Sequence, residues 1–329
     1  MTIDPSAFED LPYVDTVPRD GRQIVMRGYH EHDSGEWILH LPHEDRLIRM
    51  KAGETIRGSY YSHALADPDR DLILPLSTVT AMHLSFPGVH PPISAIEADL
   101  HHFCSLLEAY RILTAHPPQA GLADLLLAQF EALVLLIRQV FDHLQKVAQR
   151  LCRGVLDPKT RTSRVMSDLP ESFARVVLHG DDLRSSQEIG EKFRLPEQMS
   201  QFYENHAARF RALRDLRVAI EHHGVTPETI FLLEQGAGVI GDDDPWAGLG
   251  SWPASFSHGK FVSLRGVFNH LIDYTLNMLR EFAAAFTSRI MVPPALSPGV
   301  QVFLRNPHGA HVVQIPAVLA NPWERPVRL

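Results

Sequence analysis

GLADLLLAQFEALVLLIRQVFDHLQKVAQRLCR, residues 121–153, decides how this chain is built. Leu122, Leu125, Leu126, Phe130, Leu133, Leu136, Ile137, Val140, Phe141, Leu144, Val147 and Leu151 recur at steps of three and four, the period of a helix that buries one side. At 1.5 Å per residue the run makes a rod of roughly 50 Å, too long to decorate another fold, so it belongs in the core of a bundle. Asp124, Gln129, Glu131 and Arg138 interrupt it, which a lipid-spanning helix would not readily tolerate.

The same period continues on both sides. Ile93, Ile96, Leu100, Phe103, Leu106, Leu107, Tyr110 and Leu113 predict a first helix that ends near His116-Pro117-Pro118. A third is expected after Pro196, running to His222 or His223, with Gly224 where glycine commonly terminates a helix. Val262, Leu264, Val267, Phe268, Leu271 and Ile272 open a fourth over residues 261–290. Between the second and third lie a short apolar piece at 173–178 and a charged stretch at 181–192. Residues 229–233 read as a strand and the Gly/Asp/Pro/Trp-rich segment 236–253 as a loop. Within it Gly236-Ala237-Gly238-Val239-Ile240-Gly241 reads as surface loop, because no helix follows it directly.

Residues 1–90 are rich in Pro, Gly, Asp and His, with short extended runs at 23–26 and 37–41, and Pro87, Pro91 and Pro92 close them. Near the other end, 300–304 and 311–315 flank Asn306-Pro307-His308-Gly309, a hairpin pattern able to pair with the N-terminal region. The expected fold class is mainly α. A four-to-five-helix bundle over 91–291 stands between a β-rich or irregular region, 1–90, and a C-terminal hairpin and tail, 292–329.

Composition narrows the function. A 329-residue chain with 45% apolar residues can bury a real core. A net charge of −8 argues against a general nucleic-acid coat or a membrane-surface binder, so any phosphate contact must come from a local basic patch. The two cysteines, Cys104 and Cys152, sit in apolar helical patterns as reduced, buried thiols. The acidic start has no basic segment followed by an apolar run, so no signal peptide is expected and a cytoplasmic location is. No phosphate-binding glycine loop, nucleophile elbow, H-E-x-x-H or C-x-x-C occurs, and no cofactor is expected.

At the end of the third helix stands Leu213-Arg214-Asp215-Leu216-Arg217-Val218-Ala219-Ile220-Glu221-His222-His223-Gly224. Four long helices with an Arg followed by a His after four to six residues, at the end of the third, resemble the HEPN family (higher eukaryotes and prokaryotes nucleotide-binding). Arg217 with His222 or His223 fits that spacing, and the resemblance spans roughly residues 91–290. It implies a metal-independent endoribonuclease, or an RNA-binding relic of one, acting as a homodimer. In it Arg217 clamps phosphate and His222, with His223 in reserve, is the acid or base. The chemistry stands on its own terms: a guanidinium forks onto phosphate oxygens, and an imidazole titrates near neutrality. In an ideal helix Arg217 and His222 lie about 140° apart, a gap that a second protomer or a frayed helix end would close. Val218 stands where catalytic members commonly carry a polar residue. Arg211 and Arg214 extend the locally basic helix as candidate substrate contacts, and His102 from the first helix is a candidate support, as are Glu97 and Asp99.

Two other readings compete. In a non-catalytic helical scaffold, Arg214, Arg217 and Glu221 form an exposed stripe, Arg217 pairs with Glu221, and His222-His223-Gly224 is a plain helix end. In a metal-dependent enzyme, His30, His32 and Glu36 share an ion, since alternate strand residues point to one side.

Overall fold

The computed structural model describes main chain and side chains for residues 88–115, 120–152, 169–218, 230–242, 246–249 and 252–287 and for 315, 321 and 323. It describes the main chain alone for 27–31, 36–43, 46–52, 60–62, 155–156, 163–164 and 303–305, and at 90 and 287. The described chain is mainly helical, and no helix in it is long and apolar enough to cross a membrane.

Six helices are present among the described residues: α1 (His90–Ala115), α2 (Leu122–Leu151), α3 (Phe173–Val177), α4 (Ser186–Phe193), α5 (Glu197–Val218) and α6 (Leu264–Thr287). Helix α1 begins before Ile93. Pro91 and Pro92 occupy its first turn rather than ending what precedes it, because first-turn N–H groups have no intrahelical partner to lose. The charged stretch becomes α4 through a capping box: Glu188 N donates to Ser185 Oγ at 3.3 Å, while Ser185 N donates back to Glu188 Oε2 at 2.8 Å. Helix α6 starts later than the periodicity suggests, because the Ser263 hydroxyl accepts from Gly266 N at 3.1 Å and sets its first turn.

The strands form small antiparallel sheets. β1 (Arg27–Glu31), β2 (Glu36–His43) and β3 (Arg46–Ala52) make a meander. β4 (Tyr60–Ser62) pairs with β13 (Phe303–Arg305), Tyr61 opposite Leu304. The second arm of the expected hairpin lies outside the described residues except for buried Ile315. Two short pairs follow: β5 (Val155–Leu156) with β6 (Ser163–Arg164), and β7 (Leu178–His179) with β8 (Asp182–Leu183).

The surface-loop reading of 236–241 is wrong. Gly236–Ile240 is β10, an inner strand of a four-stranded sheet ordered β11 (Ser257–His258), β12 (Phe261–Ser263), β10, β9 (Phe231–Leu233). Gly238 in it permits close approach, while Gly236 follows the turn at 234–235 with a positive φ of 139°. A Cβ on Gly238 would come within 3.3 Å of the Val262 carbonyl and 3.5 Å of the Trp323 ring. The loop beyond it is packed too, since Trp246 lays its ring 4.4 Å from that of Phe130 on α2.

The core is aromatic where α2, α3 and α5 meet. Phe173, fully buried, has its ring centroid 4.9 Å from Phe141, 4.9 Å from Phe210 and 5.2 Å from Tyr203. Beside it, Tyr203 Oη donates to Gln145 Oε1 at 2.7 Å and Gln145 Nε2 donates to the Pro170 carbonyl at 2.6 Å. Cys152 is buried, its thiol pushed up to about 12 by that burial, which leaves it inert. Phe173→Ala should lower the unfolding free energy by about 3–5 kcal/mol, read by urea denaturation, because three rings close only partly over the void. A loss below about 1 kcal/mol would mean the cluster is not the keystone.

Candidate functional site

The four arginines of α5 do not form one basic face. Arg209 turns toward α6, where its Nη2 meets His270 Nε2 at 3.1 Å and its guanidinium lies 5.0 Å from the Tyr274 ring. Arg211 is exposed and donates from Nη1 to the Asp181 carbonyl, at 3.3 Å, in the β7–β8 turn. Arg214 and Arg217 go a third way. They continue the stripe of Tyr203, His206 and Phe210 along α5 and are half-buried rather than fully exposed, while Glu221, the third member of the stripe in the scaffold reading, lies outside the described residues. Val218 is 38% exposed, on another side of the helix.

What they approach is Arg138 of α2, a residue that had registered in the sequence only as a break in an apolar run. Its guanidinium is buried and stacks 4.2 Å from the centroid of Phe210. Nη1 forms an ion pair with Asp142 Oδ2 at 2.8 Å, and Nε has no hydrogen-bond partner among the described residues. Burial pulls the Arg138 pKa down, and Asp142 opposes that; Arg217 and Arg214 lie close enough to pull it down further by like-charge repulsion. An arginine stays protonated even so, and three like charges from α2 and α5 lie within electrostatic reach, Arg138 buried and the other two half-buried. The sequence signal for it was an Arg with an acid four residues on, inside the apolar stripe of a core helix.

His222 and His223 lie outside the described residues. His102 is exposed on α1, a helix that packs along α2. Asp99, one turn earlier, does reach α2: its Oδ2 lies 3.6 Å from His143 Nε2. Burial pushes the Asp99 carboxyl up to about 6, and burial first, then Lys146, draws His143 down. Asp99 Oδ2 and His143 Nδ1 are buried without hydrogen-bond partners among the described residues.

A second polar network links α5 to α6. His206 is buried, with Nε2 3.0 Å from Glu281 Oε2 and Nδ1 2.7 Å from Tyr274 Oη. The carboxylate can only accept, so Nε2 carries the proton and the tyrosine hydroxyl donates to Nδ1. Burial lowers the His206 pKa against the pull of Glu281, and the neutral ring satisfies both neighbours. Every ring nitrogen is thereby used within the protein, which suits a structural lock.

As for a metal, β1 places His30 opposite Trp37 and Glu31 opposite Glu36, and His32 lies outside the described residues. Among the described residues no three His, Cys, Asp or Glu side chains gather closely enough to hold an ion. No family model, curated protein or solved structure matches this chain.

The Asp99 shift gives a signed pH dependence. Its folded pKa, about 6, exceeds the 3.8 of an ordinary aspartate, so its contribution is fully present below pH 3.8 and is lost as pH rises through 6. Asp99→Asn mimics the protonated acid. The variant should match the parent near pH 4 and exceed it at pH 7.5 by about 1–2 kcal/mol in urea unfolding. Equal stability at both pH values would refute the buried-carboxylate account.

Proposed function

We propose that this is a HEPN-like RNA-binding protein in which Arg214 and Arg217, over buried Arg138, hold the phosphate backbone. The observation that carries the reading is a buried Arg138, stacked on Phe210, with the half-buried Arg214 and Arg217 of α5 within electrostatic reach of it. Arg138, beneath them, is desolvated and has an Nε donor unmatched among the described residues. Desolvated cations attract a phosphate more strongly than solvated ones, because less water must be displaced and the local dielectric is low. A net charge of −8 does not oppose this, since the Debye length at physiological salt is about 8 Å and a local cluster dominates at contact.

The finer reading extends the same site. His222 or His223, following Arg217 along the chain, would move the 2′-hydroxyl proton. A homodimer would bring a second copy of each group to the cleavage point. Such a site cuts by positioning, charge stabilisation and proton transfer, and no metal enters the scheme.

Binding is measured first, by fluorescence anisotropy on single-stranded RNA across a salt series. The Arg214→Ala/Arg217→Ala double variant should bind at least tenfold more weakly. Its salt-dependence slope should fall by about 0.7 for each phosphate contact removed. Affinity and slope both unchanged would reject the site. Cleavage in excess chelator that disappears in His222→Ala, with binding retained, would support the nuclease reading. A folded protein that binds no RNA would instead favour a scaffold role, a reading to which exposed Ile112 (49%) and Leu125 (53%), on either side of the α1–α2 turn, lend an interaction surface.

A further inference from the structure

A separate pocket lies on the short elements between α2 and α5. It is a cleft of about 350 Å³ open to solvent, lined by Pro170, Arg175, Leu178, Arg184, Lys192 and Phe193. Three of these are cations, three are apolar, and none is acidic. The cations come from three places: Arg175 from α3, Arg184 from just after β8, and Lys192 from the last turn of α4.

Arg184 is the built part of the site. It is 8% exposed, and its Nη1 donates to the carbonyls of Arg175 and Val176, 2.8 Å each, at the end of α3. Both Nη1 hydrogens are committed there, so the guanidinium is held in place and what it can offer the cleft is its other edge, Nε and Nη2. Its carbon stands 5.9 Å from the centroid of Phe193, and Lys192 Nζ stands 5.5 Å from the same ring. Acids do stand near in sequence, but none lines the cleft: Asp182 is exposed in β8, Glu191 accepts from Gln187 Nε2 at 2.9 Å, and Glu188 has its carboxylate bound to Ser185 N and Oγ at 2.8 and 2.9 Å in the capping box of α4. Arg175 and Lys192 are exposed, so they can reorient onto a ligand without disturbing the core.

We propose that this cleft binds a small organic phosphate monoester, its phosphate among Arg175, Arg184 and Lys192 and its apolar body against Pro170, Leu178 and Phe193. Three cations around one cleft suit a dianion better than a carboxylate, which would leave more of the charge uncompensated. The apolar wall separates the ligand from inorganic phosphate, which has nothing to place there. The volume, within the usual 300–1,000 Å³ range of small-molecule sites, fits a compact body of one ring. This site shares no residue with the Arg138, Arg214 and Arg217 cluster, so it stands or falls independently of RNA binding.

The probe is phenyl phosphate, titrated calorimetrically into the full chain beside inorganic phosphate, benzoate and phenol. Saturable one-site binding of phenyl phosphate is expected, at least tenfold tighter than inorganic phosphate or benzoate, with no binding of phenol. Arg175→Ala and Lys192→Ala should each weaken it three- to tenfold while leaving the melting temperature unchanged; Arg184 is left intact because its carbonyl contacts serve the fold. The Arg214→Ala/Arg217→Ala variant should bind phenyl phosphate as the parent does. Binding that ignores both cleft substitutions, benzoate bound as tightly as phenyl phosphate, or no saturable binding at all would overturn the proposal. So would loss of RNA binding, rather than of phenyl phosphate binding, in the two cleft variants.

Discussion

Phe173 opens a helix of only five residues, far too short to be stable by itself, and yet that ring sits where two long helices of the bundle, α2 and α5, meet. Its contacts with Phe141, Phe202, Tyr203 and Phe210 tie α2 to α5. The consequence runs to the surface, because Phe210 also carries the Arg138 guanidinium on its face. Where α5 lies against α2 is thus decided by aromatic packing, and the placement of Arg214 and Arg217 over a buried cation follows from it.

Apolar packing alone would allow the helices to slide by a turn at modest cost. The buried polar pairs remove that freedom. Tyr203 and Gln145 satisfy each other only in one register, and Gln145 reaches on to Pro170 just before α3. His206, Tyr274 and Glu281 do the same between α5 and α6. A one-turn shift would strand a hydroxyl, an amide or an imidazole in the core, at about 1–3 kcal/mol for each unsatisfied group. These groups therefore serve as a register, and their altered titration is a by-product of burial rather than a sign of catalysis.

This division explains what could be read from the letters of the chain. Helices α1, α2, α5 and α6 were legible because their apolar residues repeat over 22 to 30 positions, where chance cannot imitate the period. β10 was not: a strand written GAGVI has too little side chain to show a period of two, and its identity comes from Trp323 and Val262 crowding its glycines. The arginines of α5 were legible as a basic helix but not as three separate faces, since facing depends on where α2, α6 and the β7–β8 turn sit. Arg138 was hidden for the opposite reason. Within an apolar run a charge reads as an interruption, and only the fold reveals that it is buried against Phe210 with two further cations within electrostatic reach.

A buried arginine facing two others is an expensive arrangement for a bundle that needs only to be stable. Hydrophobic residues of similar volume at such positions are commonly neutral or stabilising, so retained internal charge calls for some other use. Asp142 answers part of the charge on Arg138, and the phenyl face of Phe210 answers some of the rest. Repulsion from Arg214 and Arg217 works against both. An anion arriving at this point would relieve that repulsion and meet one buried and two half-buried guanidiniums. In the RNA-binding reading proposed above, relief of that repulsion would add to the affinity for phosphate, and a chain with an excess of acids would still present a local site for a polyanion.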